Sequence, residues 1–286
     1  MIRQMKDSKL CSILCVCGIY LLAGIVGFAF YRSLSYVPWI SLLLSDIAAT
    51  AVVFLFSVLL ENASVYDPYW SVFPPLALTL FCLDKRLTAL GALQLAVIWL
   101  WGIRLTGNWA YTFHGLKDQD WRYTMLKNKT KGFYPFVNFF GIHLAPTLIV
   151  FFCVLPVVYA MEQQLQGNSL SALCLLLSLC AVILQATADY QMHAFRKAHQ
   201  GSLIQTGLWT YSRHPNYLGE ILMWWGIALS VYCVVPDQPW LLLGAAVNTA
   251  LFLFISIPMA DERQSQKPGY ADYKQRTWML LPVKHK

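Results

Sequence analysis

The residues best suited to chemistry stand in the segment SRHPNYLGE, residues 212–220. Arg213 precedes a proline, and a proline in the first helical turn leaves backbone N–H groups free beside this fixed positive charge. Such a corner favours an anion. Asn216, Tyr217 and Glu220 follow closely; an amide both donates and accepts hydrogen bonds, and an aromatic ring stacks on a flat ligand. Together these residue types indicate a ligand site.

Two further polar stretches accompany this segment. Asp189 lies within an apolar run, where an ionisable group is costly unless it is paired, and Arg196 follows two helical turns later on nearly the same face. A structural salt bridge and a functional polar site both explain this pair. The other stretch, residues 260–282, contains Asp261, Glu262, Arg263, Tyr270 and Tyr273. It is either a solvated tail or a cap over a ligand, and the sequence fits both equally.

The composition excludes a water-soluble globular domain. Of the 286 residues, 58% are hydrophobic and only 12% are charged, whereas a soluble domain carries roughly 25% charged residues. Several apolar runs reach the roughly 20 residues that a membrane-crossing helix needs. The net charge of +7 comes from basic residues between these runs, as membrane insertion requires, so it does not indicate a nucleic-acid partner.

The chain is therefore predicted to be all-α, a polytopic transmembrane helix bundle of seven or eight spans with both termini in the cytoplasm. On that topology 18 of the 21 lysines and arginines face the cytoplasm, the exceptions being Arg32, Lys85 and Arg86. The third run contains Pro74-Pro75 and is predicted to be a broken or re-entrant helix. The apolar segments are 10–31, 40–60, 70–83, 87–103, 134–161, 169–194, 216–236 and 238–259.

The sequence contains no repeat and no linker. We predict one integral-membrane domain, residues 1–286, in which residues 1–60 add extra spans to a core at 61–286. The run from Leu10 is interpreted as a retained first span, because it lacks a signal-peptide cleavage site. The eight cysteines lie in apolar segments without metal-binding spacing and are predicted to be free thiols.

The motifs resemble those of the steroid 5-alpha-reductase-like superfamily of membrane enzymes, and most closely its bacterial-type DUF1295 branch. The segments that carry the resemblance are DPYW, WGIRL, DQDWRY and GLWTYSRHPNYLGE. HAFRK, the W-x6-NY spacing and DER are also similar to sterol C14-reductases. The resemblance covers residues 60–282, and RHP-x-Y alone is shared with membrane methyltransferases.

This resemblance implies that NADPH binds at the cytoplasmic ends of the last four spans. Arginine is the best fixed partner for the cofactor phosphates, and an asparagine amide matches the nicotinamide amide. The residues predicted to contact the cofactor are Asp189, Arg196, Trp209, Arg213, Asn216, Tyr217, Glu220, Asp261, Ser265 and Tyr273. No metal site is predicted.

One position departs from the family pattern. Where the steroid reductases place a proton-donating tyrosine three residues before an arginine, this chain has Trp101 before Arg104, and an indole offers only a hydrogen bond. The segment ENASVYDPY, residues 61–69, supplies other acids, although a polar turn with interfacial aromatics explains it equally. The predicted catalytic residues are Glu61, Tyr66, Asp67, Tyr69, Trp101 and Arg104.

The function expected from these features is reduction by NADPH of an activated C=C bond in a lipophilic substrate. The partners are then the lipid bilayer and that small molecule, and the cofactor site faces the cytoplasm. A membrane methyltransferase that uses S-adenosylmethionine is the first alternative, and a transporter or structural membrane protein the second, although transporters usually show repeated halves. The polar loop 104–133 is either an interfacial anchor or a lid over the site.

Overall fold

A computed structural model describes residues 6–83 and 85–280, and within them the all-α prediction is confirmed. Each predicted apolar segment lies mainly in a helix, and the described residues form no strand beyond one isolated bridge between Ser212 and Trp278. The helices are α1 (Lys9–Ser33), α2 (Pro38–Leu59), α3 (Tyr69–Cys82), α4 (Ala89–Thr112), α5 (Trp121–Glu162), α6 (Ser169–Ala198), α7 (Pro215–Tyr232), α8 (Pro239–Ser265) and α9 (Tyr270–Arg276).

Six of these helices, α1, α2, α4, α5, α6 and α8, are long and apolar enough to cross a membrane. The other two predicted spans correspond to α3, with 14 residues, and α7, with 18, which are not among the six. The chain is thus a multi-pass membrane protein. Its orientation stays a prediction, and Arg3, Lys284 and Lys286, which the charge argument used, lie outside the described residues.

The chain divides into two compact units. The first unit comprises Met1–Arg86 and Trp101–Tyr159, and the second comprises Leu87–Leu100 and Ala160–Lys286. All eight cysteines are free thiols. The assignment of residues 1–60 as additional spans on a core at 61–286 stays a prediction.

In the first unit, α1 packs closely against α2 at a glycine. A Cβ atom on Gly27 would lie 3.2 Å from both the Ser45 carbonyl oxygen and the Ala49 side chain. The backbones of the two helices therefore approach one another there without a side chain between them. The buried core beside them consists of Val16, Ile19, Ala23, Ala49, Val53, Leu60, Val65, Tyr66, Tyr69, Phe113 and Leu116.

Helix α3 is not broken at its two prolines and runs without interruption to Cys82, so the expected break is wrong. Proline removes a backbone donor and leaves a carbonyl of the preceding turn without its partner. Side-chain hydroxyls bind carbonyls on both sides of the proline pair: Ser71 donates to the Pro68 carbonyl at 3.0 Å, and Thr79 to the Pro75 carbonyl at 2.7 Å. Neither bond replaces what the prolines remove, because the carbonyls that lose an N–H partner are those of Trp70 and Ser71; the 14-residue helix continues past Pro74 and Pro75 without such a replacement.

In the second unit, α6 and α7 lie in close contact because α7 carries glycine where α6 passes. A Cβ atom on Gly226 would lie 2.6 Å from the Cys174 carbonyl oxygen and closer still to the Ser178 hydroxyl. That hydroxyl donates to the Met223 carbonyl at 2.9 Å, which joins the two helices by a buried hydrogen bond. The contact holds the second half of α7 against α6.

We expect Gly226→Ala to destabilise the protein by about 1–3 kcal/mol, because an added methyl group overpacks the contact and forces the helices apart. Gly107→Ala is the matched control, since no atom lies within 4 Å of a Cβ at that exposed helical position. Thermal unfolding in detergent should show a lower midpoint for Gly226→Ala and an unchanged or higher one for Gly107→Ala. Equal midpoints would contradict the close approach.

Candidate functional site

The segment after α9 is bound to the loop that precedes α7. The backbone N–H of Arg213 donates to the Trp278 carbonyl at 2.9 Å, and the Ser212 hydroxyl donates to the Leu280 carbonyl at 2.9 Å. One guanidinium nitrogen of Arg213 donates to the Thr277 carbonyl at 2.5 Å. Residues 212–213 and 277–280 therefore form one assembly, as a cap requires.

Asp261, near the end of α8, holds the same loop through both carboxylate oxygens. One oxygen lies 2.8 Å from His214 Nε2, and the other lies 3.5 Å from a guanidinium nitrogen of Arg213. The Arg213 side chain is buried, and Asp261 balances its charge. Arg213 therefore has a structural role, because it joins the loop to the segment after α9. A contact between Arg213 and a cofactor stays a prediction.

Trp209 and Tyr273 link α9 to α6. The Tyr273 hydroxyl donates to the Trp209 carbonyl at 2.6 Å, and the Trp209 indole donates to the Ala188 carbonyl at 3.2 Å. Burial raises the pKa of Tyr273, so the hydroxyl keeps its proton and remains a donor at neutral pH. Both predicted residues are buried and position the loop.

The first turn of α7 presents Asn216 and Tyr217. The Tyr217 ring is parallel to the His214 ring, with centroids 5.3 Å apart, and lies 4.9 Å from the Phe252 ring. Asn216 is half-buried, and within the described part of the chain its side-chain amide forms no hydrogen bond. That amide is therefore available to a ligand.

Glu220 and Ser265 are engaged locally. Glu220 is buried, and its carboxylate accepts a hydrogen bond from the Trp224 indole, one turn further along α7, at 2.9 Å. The Ser265 hydroxyl is exposed and donates to the Glu262 carbonyl at 2.6 Å. These bonds lie within single helices, and contacts to a cofactor stay predictions for both residues.

Three cations come together from α6, α8 and the turn after α8, and we call Arg196, Arg263 and Lys267 the basic cluster. The two arginines repel each other, and both act on Lys267, whose ammonium donates to the Ser202 carbonyl at 3.0 Å. Burial and the two guanidiniums lower the pKa of Lys267. Asp189 attracts Arg196 and offsets part of the charge. The basic cluster can bind an anion with several charges.

Two of the predicted acids in the first unit bind buried partners and not one another. The Tyr66 hydroxyl lies 2.8 Å from the Thr147 hydroxyl, and the Tyr69 hydroxyl donates to Asp46 at 2.9 Å. The two tyrosine rings lie side by side with centroids 5.5 Å apart. The structure thus brings the two rings together, while the Tyr66 hydroxyl binds Thr147 and the Tyr69 hydroxyl binds Asp46.

The carboxyl group of Asp67 accepts a hydrogen bond from the Tyr123 hydroxyl at 2.6 Å. Burial raises the pKa of Asp67 to about 6, although the Arg122 guanidinium and this hydrogen bond act in the opposite direction. A carboxyl group with that pKa exchanges its proton near neutral pH, as a general acid or base must.

The remaining predicted catalytic residues have different surroundings. Trp101 is fully buried and packs edge-to-face on Trp70, with ring centroids 5.9 Å apart. Glu61 is exposed and has a φ of 50°, a left-handed conformation that few non-glycine residues adopt. Arg104 is half-buried on α4. Catalytic roles for these three residues stay predictions.

The residues predicted from sequence to contact the cofactor do not include Arg263, Lys267 or His214. Arg263 belongs to the DER motif and His214 to SRHPNYLGE, so both residues stand in motifs already singled out from the sequence. Asp46, the partner of Tyr69, was also absent from the predicted site. Its signal was an ionisable residue inside an apolar span, which is costly and therefore informative.

We expect Asp67 to make the stability of the protein depend on pH. Because the folded pKa of about 6 exceeds the usual value near 4, the folded state binds the proton more strongly than the unfolded state. The free energy of unfolding should then fall as the pH rises from about 4 to about 6. Asp67→Asn, which keeps an oxygen to accept from Tyr123, should lose this fall. The measurement is the thermal unfolding midpoint of the wild-type protein and of Asp67→Asn as a function of pH across this range. The same dependence on pH in both proteins would refute the prediction.

The chain matches the family model described as "Protein of unknown function (DUF1295)" over residues 53–277. It is also similar to an uncharacterized protein of Schizosaccharomyces pombe, with 28% identity over 243 residues that cover 71% of this chain and 67% of the yeast protein. No solved structure matches it. The family model extends from α2 to the segment after α9 and so includes the candidate site. By this match, the protein belongs to the DUF1295 family.

Proposed function

We propose that the protein is a membrane reductase that uses NADPH to reduce an activated C=C bond in a lipophilic substrate, as in the steroid 5-alpha-reductase-like enzymes that its motifs resemble. The observation that carries this proposal is the basic cluster. Its three cations stand together despite their mutual repulsion, which favours a bound anion. NADPH has a pyrophosphate and a further phosphate, and guanidinium and ammonium groups are good phosphate partners.

The second candidate is a membrane methyltransferase that uses S-adenosylmethionine, because such enzymes share the RHP-x-Y pattern. S-adenosylmethionine has no phosphate, and its reactive centre is a sulfonium cation. Like charges repel, so the basic cluster favours the dinucleotide over this cofactor.

The other residues of the second unit fit the remainder of the dinucleotide. The free amide of Asn216 can donate to and accept from the carboxamide of a nicotinamide ring, and the neighbouring Tyr217 provides a ring face. Asp261, Arg213 and Tyr273 hold the surrounding loop through the bonds described above. In this proposal they fix the position of the amide, and the cofactor site faces the cytoplasm.

Reduction of a C=C bond to CH–CH requires a hydride, which NADPH supplies when bound, and a proton. By its chemistry alone, the Asp67 carboxyl group is suited to hold a proton near neutral pH. Tyr66 is a phenol that can donate a hydrogen bond to a developing enolate oxygen, whereas the one hydroxyl hydrogen of Tyr69 is held by Asp46. Trp101 lacks an acidic proton, so its indole can offer only a hydrogen bond.

Isothermal titration of the purified full chain in detergent tests the proposal. We expect NADPH to bind with micromolar affinity and S-adenosylmethionine not to bind. Lys267→Gln and Arg196→Ala should each weaken NADPH binding about tenfold, because each removes a charged phosphate partner. Asn216→Ala should weaken it as well.

Lys274→Gln is the matched control. It removes one charge from an exposed position of the same unit that is not in the basic cluster, so NADPH affinity should not change. Binding of S-adenosylmethionine without binding of NADPH would overturn the proposal in favour of the methyltransferase. Equal losses in Lys274→Gln and Lys267→Gln would show that only overall charge matters.

A further inference from the structure

A buried histidine in the first unit has a free acceptor atom. His143 lies in the π-helical segment Val137–Leu144 of α5 and is 0% exposed. Its Nδ1 is 2.9 Å from the backbone carbonyl oxygen of Asn138. Because a carbonyl only accepts hydrogen bonds, Nδ1 must carry the proton, and in the neutral ring Nε2 is then an acceptor. Within the described residues Nε2 has no partner.

Asn138, five residues earlier in the same π-helical segment, repeats this pattern. Its amide nitrogen donates to the Ser57 hydroxyl at 3.2 Å. Its amide oxygen is buried and binds no partner in the part of the chain that the structure describes. Two acceptors within one π-helical turn therefore lack a donor. A buried acceptor without a donor is costly, and π-helical segments occur frequently at functional sites.

The neighbouring hydroxyl groups are already paired with each other. The Tyr66 ring lies 4.8 Å from the His143 ring, but its hydroxyl binds Thr147, which in turn lies 3.0 Å from the Thr50 hydroxyl. The Phe54 ring closes another side of His143, with centroids 5.5 Å apart. None of these hydroxyls is a hydrogen-bond partner of His143 Nε2, so a donor from outside this network would satisfy it.

The same segment also has a face that is open to the bilayer. Phe136 and Phe140 are more than half exposed and stack with their ring planes 10° apart, and Gly141 between the two acceptors is exposed as well. In a membrane-spanning helix such a face meets lipid rather than water. A ligand that reaches His143 and Asn138 from this side must be lipophilic.

We propose that His143 and Asn138 form a binding site for the hydroxyl group of a lipophilic alcohol that enters from the bilayer. The hydroxyl donates its hydrogen bond to His143 Nε2, and Asn138 Oδ1 offers a second acceptor to a diol. A ketone or an ether cannot replace the alcohol, because neither has a hydrogen to donate. This site lies wholly in the first unit and does not depend on NADPH.

The test uses the full chain in lipid nanodiscs without NADPH, and a long-chain alcohol that bears a photoreactive diazirine. The matched probe is the methyl ether of the same compound, which keeps the shape and lacks the donor. We expect the alcohol to label the protein with about tenfold higher affinity than the ether, as one buried hydrogen bond predicts. Peptide mapping should place the label within Val137–Leu144 or on the residues that contact it.

His143→Phe keeps a ring and removes the acceptor, so it should abolish the preference for the alcohol. Thr50→Val also removes a buried polar group of the first unit and should keep the preference. Equal labelling of the wild-type protein by alcohol and ether, or a label outside this region, would overturn the proposal and assign the two acceptors to water. The wild-type comparison decides the question even if His143→Phe does not fold.

Discussion

A polar side chain within a membrane-spanning helix has no water to pair with, and this constraint organises both units of the protein. Asp46 in α2 is paired with Tyr69, and Gln94 in α4 donates to Ser230 in α7 at 2.9 Å. Each pair joins segments distant in sequence, so the bonds that satisfy polar groups also fix which helices lie together. An unpaired group would cost several kcal/mol in hydrocarbon. Unsatisfied groups such as His143 Nε2 are therefore exceptions that need an explanation.

Charge in the second unit is distributed in two ways. Arg213 pairs with Asp261, and the same carboxylate lies 2.8 Å from His214 Nε2, so these side chains hold a loop. In the basic cluster, by contrast, the two arginines repel each other and both act on Lys267, while Asp189 attracts Arg196. A structural ion pair lowers the net charge of its surroundings, whereas a ligand site keeps an excess that the ligand neutralises. In the proposed function, this difference separates the residues that build the site from those that bind the anion.

Hydropathy was sufficient to predict the helices, because a long apolar run in a membrane has no other way to satisfy its backbone. The two prolines of α3 indicated a break that does not occur: they remove two backbone donors, yet the helix runs without interruption from Tyr69 to Cys82. The sequence singled out the motif at 212–220 as a ligand site, which stays a prediction; the structure shows that its first residues form one assembly with residues 277–280. The pairing of His214 with Asp261, 47 residues away, could not be predicted, since it depends on how α7 and α8 pack. The basic cluster could not be predicted for the same reason, because its three residues come from three segments that meet only when the helices pack.

The bond between Arg213 and Thr277 spans 64 residues of sequence, which has a consequence for how the protein is made. A ribosome that inserts this chain into a membrane delivers the 212–220 motif before α8 and the segment that clamps it. Until α8 has been inserted and residues 277–280 have emerged, Arg213 has neither its carboxylate nor its carbonyl partners. The helices can therefore assemble in order of synthesis, but the loop reaches its final form only after translation has passed this segment.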